Sequence, residues 1–190
     1  MRYPPERKAR TRDAVLKAAA HEMRERGFHG IGVDGLSAAA GVTSGAFYSH
    51  FSGKEDVLGA VIDANLGRPF DAGEGDLAAR RERVRAYLRG YISLAHRDGP
   101  AQGCVMPALS ADVARSGRAV RRIYQARMAE LIGKITPLMK GPRPVQEKKA
   151  WSLLSMMVGA VLVARALADK DHAAKVIDAA LESALESVGE

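Results

Sequence analysis

Between Val42 and Ser52 the chain sets the hydroxyls of Thr43, Ser44 and Tyr48 and the imidazole of His50 around two phenylalanines, Phe47 and Phe51, spaced four apart. Residues four apart share one face of a helix. The pattern therefore predicts a helix that anchors its phenylalanine side and shows Ser44, Gly45, Tyr48 and His50, with small or polar tips, on its other faces. Groups of this kind donate to and accept from phosphate oxygens and base edges, which is the chemistry of a helix lying in a DNA major groove. Thr43 is a good N-cap. With Ser44 it places hydroxyls and backbone N–H groups at the positive end of a helix, where an anion is favoured.

The elements that position these groups follow from the flanking residues. Leu36, Ala39 and Ala40 are expected to form the apolar stripe of a preceding helix starting near Val33, with Asp34 in its first turn. Gly41 is expected to end it, since glycine takes a left-handed cap without steric cost. Upstream, a helix from Thr11 to Arg26 carries Val15, Leu16, Ala19, Ala20 and Met23 on one side, and Phe28 and Ile31 pack beneath the next helix. Downstream, Ser52-Gly-Lys-Glu55 reads as a capping box for a helix with Val57, Leu58, Val61, Ile62 and Leu66 at helical spacing.

The ordered run Ala40-Gly-Val-Thr-Ser-Gly-Ala-Phe-Tyr-Ser-His-Phe51, followed by Lys54-Glu55, resembles the TetR family of bacterial transcription regulators. The resemblance extends weakly back through Thr11-Arg12 to Gly27-Phe28. It implies a helix-turn-helix head. Ser44, Gly45 and Ala46 would lie against bases, Tyr48 and His50 at phosphates or adjoining bases, and Lys54 at a phosphate. Thr11 and Arg12 would add contacts from the first helix. The family usually has Ser or Thr at or near position 32. Gly32 lacks that hydroxyl, which removes one expected phosphate contact. The exposed face offers no Arg, Asn or Gln for bidentate base reading, so modest intrinsic specificity and strong salt dependence are expected.

The formal charge of +7 suits a polyanionic partner, but its distribution is uneven. Residues 1–66 hold nine Lys/Arg and eight Asp/Glu and net +1, leaving +6 for the rest. A basic tip of Arg2, Arg7, Lys8, Arg10 and Arg12 against Glu6 is placed to embrace phosphates. Hydrophobic residues make up 47% of the chain and aromatics only 5%, with abundant alanine, as in closely packed helices. The single cysteine, Cys104, excludes an intramolecular disulfide and fits a cytoplasmic chain. The N-terminus shows no apolar signal core. The apolar run Trp151 to Ala164 reads as a buried helix, too short to span a bilayer, so no membrane partner is expected.

The expected fold is all-α, with about nine helices. Residues 1–52 form the DNA-binding head, 53–75 a linking helix and the loop Gly67-Arg-Pro-Phe-Asp-Ala-Gly-Glu-Gly75, and 76–190 a ligand-binding and dimerisation domain. Within the last, helices are expected at Leu77–Arg97 (Val84, Tyr87, Leu88, Tyr91, Leu94 and Ala95 inward), Met106–Ala114, Arg118 to about Leu138, Lys149–Ala168 and Asp171–Val188. Gly141-Pro-Arg-Pro144 is expected to be a hard turn. The last two helices carry a seam of small residues suited to packing two subunits into a four-helix bundle. A two-fold homodimer would present two heads to a palindromic double-stranded operator with half-sites about 34–36 Å apart.

Tyr87, Tyr91, Met106, Leu109, Tyr124, Met128, Trp151 and Met156 are candidates to line an apolar cavity for a small-molecule effector. Cys104, just before a predicted helix, is a candidate reactive thiol. The basic residues Arg80, Arg81, Arg83, Arg85 and Arg89 and Arg118, Arg121, Arg122 and Arg127 read as solvated helical faces, with an anionic ligand or a second DNA surface as the alternatives. Catalysis is not expected. His96 and Cys104 have no third orienting group, and His21, His29, His50, His96 and His172 lack zinc spacing, so neither a metal nor a cofactor is implied. The reading is a dimeric, sequence-specific transcriptional regulator, a repressor released by a small ligand. The alternatives are a thiol-based electrophile or oxidant sensor using Cys104 and a nonspecific architectural DNA binder.

Overall fold

The computed structural model describes residues 5–67, 70 and 72–188. Arg2 of the basic tip, and Arg68, Pro69 and Asp71 of the expected loop, lie outside them. Among the described residues the fold is all-helical, with ten α-helices: α1 (Pro5–Arg26), α2 (Val33–Ala39), α3 (Ser44–Tyr48), α4 (Lys54–Asn65), α5 (Leu77–Tyr91), α6 (Leu94–Asp98), α7 (Val105–Arg115), α8 (Arg118–Ile135), α9 (Arg143–Ala166) and α10 (Lys170–Ser187). Short 3-10 turns at Pro100–Gln102 and Thr136–Leu138 join them. The chain folds into two compact units that do not follow chain order. One gathers the residues up to Leu66 with Ala101–Gln125, and the other gathers Gly67–Pro100 with Ala126–Glu190.

In the first unit α1 packs on α2, α3, α4 and α7. Val15, Ala19, Ala20 and Met23 are buried as their spacing predicts, while Leu16 is half-buried. α1 starts at Pro5 rather than Thr11, because proline is tolerated in a first turn where no intrahelical N–H bond is lost. Every apolar position expected on α4, from Val57 to Leu66, is buried. The α2 stripe differs from expectation. Leu36 is buried, but Ala39 is exposed and Ala40 half-buried; Ser37 takes the inner position, its hydroxyl donating to the Val33 carbonyl at 2.9 Å. A helix of seven residues has room for one buried turn. The expected capping box is also rearranged. Asp56, not Glu55, accepts from the Ser52 amide at 3.0 Å. Glu55 instead accepts the Gly117 amide, at the start of α8, at 2.6 Å. Gly59 lets α4 and α8 approach, since a Cβ there would stand 3.2 Å from Ile123 Cδ1.

In the second unit the helix expected over Leu77–Arg97 is two helices. α5 stops at Tyr91 because Ile92 leaves helical geometry, and Ser93 then caps α6 by accepting the His96 amide at 3.1 Å. The break buries Ile92 and leaves Leu94 and Ala95 exposed, against the inward placement expected for them. The Gly141–Pro144 segment is not a full stop either. Pro142 is the N-cap of α9 and Pro144 sits in its first turn, so α9 begins at Arg143, six residues before the expected start. α9 is therefore long and apolar enough, by length and composition, to cross a membrane. Ala150, Leu153, Leu154, Met157, Ala160, Val161 and Ala164 are nonetheless buried, and α9 packs along α10, which runs close to its expected span.

Two arginines lock α6 to the end of α9. Arg97 donates to the carbonyls of Ala164 and Leu167, both at 2.8 Å, and Arg165 donates back to the His96 carbonyl at 2.7 Å. These bonds answer carbonyls that a helix end leaves without intrahelical partners. His96 Nδ1 lies 2.7 Å from the Tyr91 carbonyl, and its ring stands edge-on to Tyr91. Burial, and then the Arg165 charge, hold the His96 imidazole below its ordinary value of 6.5, against the raising effect of the Tyr91 carbonyl. The neutral form is thus favoured in the folded state. The His96 contribution is expected to be complete above pH 6.5 and to be lost as the pH falls below it. Thermal melts across that range should show a decline in Tm that is shallower in a His96→Gln variant.

Candidate nucleic-acid interface

The turn between α2 and α3 begins with Gly41 at φ 66°, a left-handed position that favours glycine. Thr43 then caps α3, its hydroxyl accepting the Ala46 amide at 3.1 Å. Phe47 is fully buried and meets Phe51, also buried, at a centroid distance of 5.7 Å. With that side anchored, Tyr48 is 58% exposed. Thr43 and Gly45 are exposed, and Ser44, Ala46 and His50 are half-buried. The division into an anchored and an outward side is the one expected from the phenylalanine spacing.

The candidate contact residues from α1 and α4 have internal partners as well. The Arg12 guanidinium stands 5.3 Å from the Phe51 ring centroid. The Thr11 hydroxyl donates back to the Arg7 carbonyl at 3.0 Å. Lys54 Nζ donates to the Ile31 carbonyl at 3.0 Å and lies 4.3 Å from the Phe28 ring centroid, so it ties the α1–α2 loop to the start of α4. The Ser44 hydroxyl donates to Asp34 Oδ1 at 2.9 Å, which joins the first turns of α2 and α3. Gly32 is the N-cap of α2 and supplies no side-chain bond, as its lack of a hydroxyl implies.

Burial and then the positive charges of Lys8 and Arg12 keep the His50 imidazole below its ordinary value. Lys8 was assigned only to a basic tip by sequence. Its place near His50 comes from the earlier start of α1, which sets Lys8 and Arg12 one turn apart on a helix. Asp34 was read only as a favourable first-turn residue. Its bond to Ser44 joins positions ten apart in sequence and leaves no local signal.

The candidate effector residues fall in both compact units. In the first, Met106 and Leu109 are buried, and the Tyr124 and Ser110 hydroxyls lie 2.8 Å apart. Cys104 is the N-cap of α7, its Sγ accepting the Met106 amide at 3.4 Å. In the second, Tyr87 packs between Phe70 and Tyr91, at centroid distances of 5.3 and 5.8 Å. Met128 and Met156 are half-buried, and Trp151 is 41% exposed. Among the described residues no group of three or more His, Cys, Asp or Glu side chains is placed to hold a metal ion.

An all-helical chain with a capped, anchored short helix after a tight turn defines the helix-turn-helix class. Residues 15–61 match the family model described as bacterial regulatory proteins, tetR family, so this stretch of the chain is a TetR-family DNA-binding region. The HTH-type transcriptional repressor NemR of Escherichia coli is 30% identical over 110 residues, covering 54% of each chain. The chain thus spans about half the length of the curated relatives it matches. A crystal structure of E. coli NemR in its reduced form superposes with a TM-score of 0.72 at 24% identity, over 92% of this chain and 94% of that one. A TetR-family transcriptional regulator from Cytophaga hutchinsonii superposes with a TM-score of 0.73 at 21% identity, over 99% and 96%. These likenesses establish the fold.

The two sides of α3 should separate stability from surface chemistry. Phe47→Ala is expected to cost about 3–5 kcal/mol of folding free energy. Tyr48→Ala should stay within about 0.5 kcal/mol of the parent, as exposed substitutions do. Urea unfolding of the two variants checks both.

Proposed function

We propose that this chain is a dimeric, sequence-specific DNA-binding transcriptional regulator of the cytoplasm, a repressor that leaves a palindromic operator when a small molecule binds. The exposed side of α3, held outward by the buried Phe47, carries the reading. Ser44, Gly45 and Ala46 approach base edges. Thr43 meets a phosphate, Tyr48 and His50 meet phosphates or adjoining bases, and Thr11, Arg12 and Lys54 flank them. In functional terms residues 1–52 are the head, 53–75 the link and 76–190 the effector and dimer domain. The name of the NemR relative supports repression as the mode.

A second copy of the chain is proposed against α9 and α10. Trp151, Leu162 and Val163 are 41%, 50% and 49% exposed on α9, and Ser155 and Ala166 are exposed at helical spacing between and beyond them. Such a stripe is what a helix-bundle interface covers. The aromatic group of Phe70, Tyr87 and Tyr91 is the proposed wall for the effector in the second unit.

A second reading, a thiol-based electrophile or oxidant sensor, has one specific observation behind it. Cys104 Sγ sits at the N-terminus of α7, and the neighbouring Arg24 donates to the Gly103 carbonyl at 3.1 Å. Burial lowers the Arg24 guanidinium from its ordinary value, and the charge of Cys104 opposes that shift. Rapid thiol labelling that releases DNA, abolished in Cys104→Ser, would favour this mode over a reversible ligand.

Fluorescence anisotropy with DNA from the chain's own upstream region and a scrambled competitor tests the main reading. Saturable binding by two chains per site, resistant to the competitor, is expected; equal loss to scrambled DNA would leave a nonspecific architectural binder. Tyr48→Ala should weaken binding by about tenfold or more with Tm unchanged. A phosphate beside His50 would raise its pKa, so binding takes up a proton. Affinity should therefore rise as the pH falls through the ordinary value of 6.5, and this rise should vanish in His50→Gln. Leu162→Glu with Val163→Glu should give monomers by light scattering.

A further inference from the structure

The second unit carries a cleft of about 700 Å³ that no sequence expectation for an apolar effector describes. Arg85 and Arg89 from α5, Lys140 from the turn before α9, and Lys149 from α9 line it, with Glu186 from the end of α10 as its carboxylate. Arg85 and Arg89 lie one helical turn apart, on the same side of α5. Glu82 lies 3.7 and 3.6 Å from their guanidiniums, and an exposed ion pair of that length is weak.

The cleft wall is tied down from two helices. Arg81 Nε donates to the Leu138 carbonyl at 2.9 Å, holding the 3-10 turn against α5. Gln146 donates to the Met139 carbonyl at 2.9 Å, and Lys149 Nζ to the Lys140 carbonyl at 3.1 Å. The segment bearing Lys140 is therefore fixed beside the two arginines before any ligand arrives. A concave surface lined mainly by positive charge concentrates anions. Guanidiniums bind carboxylate and phosphate oxygens in pairs. The volume suits a metabolite-sized molecule.

We propose that this cleft binds a small multivalent anion, a polyphosphate or polycarboxylate, through Arg85, Arg89, Lys140 and Lys149. A monocarboxylate carries too little charge to engage two guanidiniums and two ammonium groups together. Glu186 weakens the site by like-charge repulsion and so tunes it. The proposal does not depend on the DNA reading, because none of the proposed DNA contacts lines the cleft.

Isothermal titration of the full chain with sodium pyrophosphate, trisodium citrate and sodium acetate at fixed ionic strength tests it. Saturable one-to-one binding of pyrophosphate or citrate, and not acetate, is expected; which of the two binds more tightly assigns phosphate or carboxylate chemistry. Arg85→Gln with Arg89→Gln should weaken it by about tenfold or more. Arg121→Gln with Arg122→Gln on α8, which removes the same charge elsewhere, should leave it unchanged. Glu186→Gln should strengthen it a few-fold. Thermal melts confirm that each variant is folded, and Lys149→Gln offers an independent loss if the arginine pair proves needed for folding. No saturable binding of either multivalent anion, equal binding of acetate, or equal loss in the α8 variant would overturn the proposal.

Discussion

A helix of five residues does not hold its own shape in water, where isolated helices shorter than about 12–15 residues are marginal. α3 exists because Phe47 is driven out of water against Phe51 and the helices of its unit, and because Thr43 satisfies an amide at its start. The direction of every outward group on α3 is a consequence of that burial. With Phe47 inside, Tyr48 on the next residue must face out, and Ser44 and Gly45 lie on the turn before it. The candidate interface is thus a by-product of packing: apolar burial sets the geometry, and the polar groups inherit it.

Around this anchor, polar side chains act as struts between segments far apart in sequence. Lys54 reaches the Ile31 carbonyl, Asp112 accepts the Phe28 amide at 3.2 Å, Arg24 reaches the Gly103 carbonyl and Glu55 takes the Gly117 amide. Each satisfies a backbone group at a helix end or in a loop, where no ladder partner is available. The Lys54-Glu55 pair, read from its resemblance as the end of a DNA-binding motif, therefore has architectural tasks. Through Asp112 and Glu55, α7 and α8 are bonded to the elements that hold α3. This explains why 101–125 joins the compact unit of the helix-turn-helix although it lies far along the chain.

The second unit uses the same device at a different place. Arg97 and Arg165 exchange hydrogen bonds between α6 and the end of α9, which fixes one end of the longest helix. α9 then divides its apolar residues between two faces. Leu153, Leu154, Met157 and Val161 turn inward, while Trp151, Leu162 and Val163 remain in water. An apolar helix of this length need not be wholly core. The exposed face is the one proposed to meet a second chain.

The all-helical class, the ends of α2 and the start of α3, the inward pair Phe47 and Phe51, and the apolar face of α4 were legible in the residues themselves. Each rests on spacing within one or two turns or on the conformational preference of one residue, such as Gly41 or Thr43. Other features were not legible, for the same physical reason. The break at Ile92-Ser93, the exposure of Ala39 and Leu94, the early start of α9 at its prolines, the exchange of Asp56 for Glu55 at the α4 start and the convergence of Lys140 and Lys149 on Arg85 and Arg89 depend on what packs nearby. Local sequence determines which conformation a segment can adopt and which side it would bury. Only the tertiary structure decides which carbonyls need a donor, which charges converge and which apolar face is left in water, because those depend on residues brought together from distant parts of the chain.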